Sequence, residues 1–309
     1  MNKGDIMSFT SQVKNEASKI ELNEVEIITE LSAIIKNTSI LADNIIITTE
    51  NASLARLIFS NIKKLFNYVS KITVRRGYNF NRSYIYILEI NHNVEKIKEK
   101  LSLEQDIPQT YILDDIELKR AYIRGLFLAS GSINDPKKSR YHLEFLFKSK
   151  EYAFFIKDLL NEFRLNSKVI KRDNKYMVYI KEAEKIGDFL RIINTNNALF
   201  YFEDIRIYRD HKNMTNRLNN CEQANVDKII ETANNQIKDI EIIEKYDAID
   251  LLDEKVKEVA VYRKKYPEVS LNELSEIISI ETGNKITKSG IYHRMNKIKD
   301  LAYKIREKN

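Results

Sequence analysis

The chain has 309 residues, room for two or three domains rather than one. Apolar residues make up 43% and charged residues 31%, the balance of a soluble globular protein, and no run approaches the roughly 18 apolar residues that a membrane span requires. The single cysteine, Cys221, excludes an intrachain disulfide framework and fits a reducing cytosol, and the net charge of +6 is unevenly spread, because eight Lys/Arg and two acids between Asn284 and the end account for all of it.

With only 7 Gly and 3 Pro, long coil linkers are not expected and helix should dominate. Met1 to Thr10 lacks the apolar core of a signal peptide. The first periodic stretch runs from Val25 to Lys36 as a helix, followed by the strand Ile45-Ile46-Ile47-Thr48. Leu54, Leu57, Ile58, Ile62, Leu65 and Phe66 then recur at helical spacing. A β-rich pair follows, ITVRR from Ile72 and YIYILEI from Tyr84, joined by GYNFNRS. A further helix covers Val94 to Leu101.

The same order then returns. A helix spans Leu118 to Ala129 and a strand Tyr141 to Phe147. Phe155, Ile156, Leu159, Leu160 and Phe163 form an amphipathic helix. KVIKR from Lys168 and YMVYI from Tyr176 make a shorter hairpin, and Ala183 to Leu190 closes the unit. The predicted class is therefore α+β, a tandem αββαββα pseudo-repeat with units at about 7–105 and 117–204. Basic residues fall at matching points of the two hairpins, Lys71, Arg75, Arg76 and Arg82 in one and Lys168, Lys171 and Arg172 in the other. They leave a DNA contact open, and a solvated hairpin explains them equally well.

Residues 205–245 are polar, with Val226, Ile229, Ile230, Ile237, Ile240 and Ile243 spaced as in a semi-rigid helical connector. Tyr201, Phe202, Tyr208 and Arg209 near its start either dock on the preceding scaffold or, the commoner role for such residues, serve core packing.

The remainder, 246–309, reads as three helices. The first runs from Asp253 to Lys265 and is stopped by Pro267. Ser270-Leu-Asn-Glu273 is a capping box that opens the second, and Gly283 supplies the left-handed residue that ends it. Thr287 caps the third. There Ile291, Met295 and Ile298 form an inner stripe, continued by Leu301 and Ala302. Lys288, Ser289, Tyr292, His293, Asn296 and Lys297 occupy the opposite side, with Arg294 on the flank. One face is core and the other is rich in donors, as in a recognition helix whose first turns meet base edges in the major groove. Lys299, Lys304 and Arg306 suit phosphates. The positive end fits a polyanion contact, and a solvated terminal helix would look the same by charge alone.

The stretch Tyr122-Ile-Arg-Gly125-Leu-Phe-Leu-Ala129-Ser130-Gly131-Ser-Ile133 resembles the LAGLIDADG motif of homing endonucleases, in which small residues let two helices pack at a pseudo-twofold axis. The resemblance assigns that packing to Gly125, Ala129 and Gly131. It also implies a metal-binding carboxylate before the final glycine, where this chain has Ser130; the matching position of the first unit is Thr38. Neutral hydroxyls cannot replace carboxylates at a phosphodiester-cleaving metal site. Asp135, close by, belongs to the turn Asn134-Asp135-Pro136.

More of the chain is similar to the WhiA family of bacterial regulators. Met7-Ser8-Phe9-Thr10-Ser-Gln-Val13-Lys14-Asn-Glu16 resembles the family's opening, which makes residues 1–6 an extension. RAYIRGLFLASGSINDPKKSRYHLEF (120–145) resembles its centre, and Asn216-Arg217-Leu218, Asn220-Cys221-Glu222, Ala224-Asn225 and 288–295 follow in family order. The resemblance implies a catalytically inert LAGLIDADG-like scaffold over 7–204 and a helix-turn-helix like the DNA-reading region of sigma factors.

The expectation is thus a transcription regulator of the cytoplasm and nucleoid that binds promoter double-stranded DNA, acts as a monomer, and serves sporulation, cell division or chromosome segregation. Its reader residues would be Lys288, Ser289, Tyr292, His293, Arg294, Asn296, Lys297 and Lys299. No catalytic residue, cofactor or membrane contact is expected. The four histidines (His92, His142, His211, His293) show no metal-ligand spacing with Cys221, and no Gly-rich phosphate loop is present. Two other readings stay open: an adaptor that binds a sigma factor or another regulator, and a maturase-like binder of RNA or DNA.

Overall fold

The structure, a computed structural model, describes residues 7–41, 43–77, 84–138 and 140–308. The expected extension at residues 1–6 and Arg82 lie outside them. The chain divides into two compact units, Met1–Arg209 and Asp210–Asn309.

The first unit contains the predicted repeat. Its elements are α1 (Phe9–Ala17), α2 (Glu24–Thr38), β1 (Ser39–Leu41), β2 (Ile45–Thr49), α3 (Ala52–Phe66), β3 (Lys71–Arg76), β4 (Tyr84–Ile90) and α4 (Val94–Lys100). After a 3-10 turn at Thr110–Leu113 come α5 (Ile116–Ser130), β5 (Ser132–Ile133), β6 (Leu143–Phe147), α6 (Lys150–Glu162), β7 (Lys168–Arg172), β8 (Lys175–Ile180) and α7 (Ala183–Ile192). The next helix, α8 (Asn196–Lys245), begins here and contains the boundary between the units. Each repeat builds one antiparallel four-stranded sheet, in the order β1-β2-β4-β3 and β5-β6-β8-β7.

Local chemistry sets the helix starts. Asn23 and Glu26 form a capping box on α2; Asn51, Asp115 and Ser149 cap α3, α5 and α6. Alternation sets the sheet faces, with Ile45 and Ile47 of β2, and Leu143, Phe145 and Phe147 of β6, turned to the core. Each repeat has its own apolar cluster, around Leu31, Ile58 and Leu88 in the first and Phe127, Phe145 and Phe189 in the second. The short α1 belongs to both, placing Ala17 in the first and Phe9 and Val13 in the second.

The two LAGLIDADG-type helices, α2 and α5, form the seam of this unit. Gly125 is required there, because a Cβ would run into the carbonyl oxygen of Glu30. A Cβ on Gly131 would meet Phe127 of its own helix, so that glycine serves the exit from α5. Ala129 borders a surface cleft with α1 and β2.

The seam also holds an ion pair: Arg124 Nε donates to Glu30 Oε1 at 2.6 Å, with side chains 3% and 1% exposed. Glu30 Oε2 and Arg124 Nη2 have no hydrogen-bond partner among the described residues. Burial pushes the Glu30 carboxyl above its usual range, and Arg124 only partly offsets this. Nearby, the Tyr122 and Tyr152 hydroxyls lie 2.8 Å apart, and Asn37 Nδ2 donates to Tyr152 at 3.0 Å.

The start of α8 docks on this unit. Phe202 is buried, the Tyr201 ring lies 5.5 Å from that of Phe9, and Arg209 donates to the carbonyls of Pro136 and Lys138. Tyr208 is 66% exposed.

The second unit comprises the rest of α8, a 3-10 turn at Ile249–Leu251, α9 (Glu254–Lys265), α10 (Leu271–Thr282) and α11 (Lys288–Lys308). Its core joins Val256 and Val259 of α9, Leu274 and Ile278 of α10, and Ile291, Met295, Ile298 and Ala302 of α11. Ile240 and Ile243 of α8 belong to the same core. The end of 205–245, read from the sequence as a connector, is therefore part of what holds the three-helix unit together.

Candidate nucleic-acid interface

The three-helix unit is positioned by the caps that the sequence announces. Asp253 accepts from the Val256 amide at the start of α9. Ser270 and Glu273 exchange bonds of 3.3 and 2.7 Å at the start of α10. Gly283 ends α10 at φ +72°, which lets the chain turn sharply into α11. Thr287 Oγ1 accepts from the Gly290 amide, so α11 begins at a fixed point. Arg263 adds an internal clamp that sequence reasoning missed. It is 1% exposed, and its Nη1 donates to the carbonyls of Tyr266 and Val269 across the α9–α10 turn. Its burial lowers the guanidinium pKa.

The inner stripe of α11 is as expected: Ile291, Met295, Ile298 and Ala302 are buried and Leu301 is partly so. The eight candidate reader residues divide into three groups. Ser289, Tyr292 and His293 are exposed, the Tyr292 and His293 rings meeting edge-on at 6.2 Å, and Lys288 is exposed without an ion-pair partner among the described residues. Lys288 also borders a cleft with Lys228, Arg263 and the first turn of α10; its described lining has three cations and no acid, which suits a phosphate.

Arg294 and Lys297 face α9. Arg294 donates to the Lys255 carbonyl at 3.3 Å and lies 3.9 Å from the Glu258 carboxylate. Lys297 pairs with Asp253 at 3.0 Å, holding that carboxyl below its usual range. The Lys297 side chain is 63% exposed, so this surface pair is weakly held, whereas Arg294 is 24% exposed and lies against α9. Asn296 and Lys299 border a second cleft with Asn235, Gln236 and Asp239 of α8, where Arg306 pairs with Asp239 at 2.9 Å.

At the seam of the first unit, Thr38 and Ser130 occupy matching places as the last residues of α2 and α5. Thr38 Oγ1 donates to the Ile34 carbonyl at 2.7 Å and Ser130 Oγ to that of Leu126 at 3.3 Å. Both hydroxyls turn back onto their own helix, four residues upstream. Asp135 accepts from the Lys137 amide at 2.9 Å in the expected turn. No group of three or more His, Cys, Asp or Glu side chains able to hold a metal occurs among the described residues. No helix among them is long and apolar enough to cross a membrane.

Comparison with known proteins agrees with this architecture along the chain. Residues 24–104 match the WhiA N-terminal LAGLIDADG-like domain, 119–212 the WhiA LAGLIDADG-like domain, and 215–302 the WhiA C-terminal HTH domain. The probable cell division protein WhiA of Staphylococcus aureus (strain JH9) is 41% identical over 310 residues, covering 97% of this chain and 98% of its own. The crystal structure of full-length DUF199/WhiA from Thermatoga maritima is 25% identical, covers 96% of this chain and 99% of its own, and superposes with a TM-score of 0.58. The N-terminal LAGLIDADG domain of DUF199/WhiA covers 60% of this chain and 90% of its own, at 26% identity and a TM-score of 0.51. With three successive domain matches and a full-length relative at this identity, the chain belongs to the WhiA family.

Proposed function

We propose that this protein is a sequence-specific, promoter-binding transcription regulator that does not cleave DNA. One observation carries the reading: a capped three-helix unit whose last helix buries Ile291, Met295 and Ile298 while turning Lys288, Ser289, Tyr292 and His293 outward. That is the side-chain distribution of a helix that enters a major groove by its N-terminal turns. Lys297 and Lys299 extend the cationic surface, Lys297 by exchanging Asp253 for a phosphate. Asn296 reads bases only where its cleft with α8 opens; Arg294 supports the helix rather than the DNA. The role we assign is in cell division, with sporulation and chromosome segregation as related programmes, exercised by a monomer on the nucleoid.

Inactivity as a nuclease follows from Thr38 and Ser130, neutral residues whose hydroxyls bond their own helices. We assign residues 7–204 to the scaffold and 246–309 to the reader, with 205–245 between them; the reader's fold includes the end of that middle segment, since Ile240 and Ile243 are core. A fragment beginning at residue 246 should therefore fold poorly, and Asp210–Asn309 is the fragment to use. Retention of particular genomic fragments by the full chain and by Asp210–Asn309, with no nicking of plasmid in magnesium, is the expected result. Clean magnesium-dependent cleavage would refute the inert reading.

A protein-contacting role for the scaffold is favoured over a DNA grip by the solvent-side positions of its second sheet. Leu146 is 38% and Ile170 49% exposed, an apolar pair flanked on β7 by the exposed Lys168 and Arg172, and DNA binding by the isolated scaffold as tight as by the full chain would overturn this preference. An adaptor role toward a sigma factor or another regulator would use this face.

A further inference from the structure

The first unit carries two cations, Lys14 and Arg56, at a cleft that the reading of α11 does not use. A cleft of about 730 Å³ opens beside the end of α5, bordered by Ala129, by Thr48 of β2, by Ser53 and Arg56 of α3, and by Lys14 of α1. Lys14 is half-buried, its Nζ 5.8 Å from the centre of the Phe127 ring, with no carboxylate at ion-pairing distance among the described residues. Burial without a counter-charge lowers its pKa to about 8. Arg56 is exposed and likewise has no acidic partner among the described residues. The α3 helix begins at this cleft and adds the positive end of its dipole. The cleft has one acid, Glu50, which is exposed.

We propose that this cleft is a phosphate-binding site, in which Lys14 and Arg56 hold a phosphate group from a nucleic-acid backbone or from a small phosphorylated molecule. An anion beside Lys14 supplies the missing counter-charge and favours the protonated amine. A desolvated ammonium facing a cleft is otherwise a cost that a methionine of similar length would avoid. The site is separate from the reader on α11 and stands or falls independently of it.

Sulfate is the first probe, because it has the tetrahedral oxygen arrangement of phosphate, is a dianion and does not titrate near neutrality. Calorimetric titration of the full chain should show a site that Lys14→Met abolishes, Arg56→Gln weakens by about tenfold or more, and Glu50→Gln tightens. Methionine keeps the apolar stem over Phe127, and circular dichroism checks that each variant is folded. Affinity should fall as pH rises past about 8, where Lys14 loses its proton. Binding below that range should draw protons from the buffer as pH approaches 8. DNA binding by wild type and Lys14→Met separates the two sources. Competition between sulfate and DNA, with a flatter salt dependence in the variant, identifies a backbone phosphate. Unchanged DNA binding, together with Lys14-dependent binding of adenosine monophosphate, identifies a small ligand. Sulfate binding that is equal in wild type and Lys14→Met, or absent from both, would overturn the proposal.

Discussion

The seam between α2 and α5 and the outer face of α11 handle charge in opposite ways. At the seam, Glu30 and Arg124 are buried, fixed at 2.6 Å and partly unsatisfied, so the pair is a structural commitment. On α11, Lys288 has no acidic partner among the described residues and Lys297 shares an exposed one, so both can change partners without disturbing the fold. The difference separates two kinds of residue. Changes at the seam should alter stability, and changes on α11 should alter binding.

The largest expected effect is at the seam. Arg124→Met leaves a buried carboxylate unpaired and should cost about 3–5 kcal/mol in urea denaturation at pH 8. The sign with pH is specific. Glu30 already sits above its usual range because of burial, and without Arg124 it should climb further. A raised folded-state pKa favours folding at low pH, and that advantage is lost as pH rises through it. The Arg124→Met deficit should therefore shrink at pH 5, and an equal deficit at both pH values would remove burial as the cause. The double change Glu30→Leu with Arg124→Leu should recover most of the loss, since an apolar pair has no charge to desolvate.

Gly125→Ala comes next. Its methyl group would press on the Glu30 carbonyl, backbone that cannot swing away, at about 1–3 kcal/mol. Gly131→Ala would press on both the ring and the Cα of Phe127 in its own helix and should cost a similar amount; a neutral Gly131→Ala would show that the exit from α5 relaxes freely. Ser270→Ala removes the hydroxyl half of the α10 capping box and should cost about 1 kcal/mol, with thermal melting of Asp210–Asn309 as the readout. Smallest in stability, and near zero, is Lys288→Gln, whose consequence belongs to DNA affinity.

Much of this was legible in the residues, for local reasons. Ser270, Glu273 and Gly283 act within a turn of themselves, so the second helix of the reader could be placed from its sequence. The repeat was legible because two hairpins flanked by amphipathic helices recur in one order, and both sheets have the same strand order. What escaped notice depends on distant contacts. Arg294 looked like a flanking reader residue, and its tie to Lys255 and Glu258 arises only when α9 and α11 pack. Ile240 and Ile243 looked like a connector stripe because their partners lie on the three helices downstream. The Glu30–Arg124 pair did leave a trace: one acid within ITELSAII and one base within YIRGLF, each inside an otherwise uncharged run. Opposite charges at the centres of two helices expected to pack are the signature that a buried ion pair leaves in a sequence. The α1 helix had one too, with Phe9, Val13 and Ala17 four residues apart on one face.

The central claim is that α11 reads DNA and grips its phosphates. It is tested most directly by fluorescence anisotropy of the full chain on a genomic fragment that it retains, across a salt series. Wild type should show a steep decline of affinity with salt, and Lys288→Gln and Lys297→Gln should each flatten the slope by about one while leaving the melting temperature unchanged. Slopes and affinities identical to wild type in both variants would contradict the account and assign this helix to a protein partner.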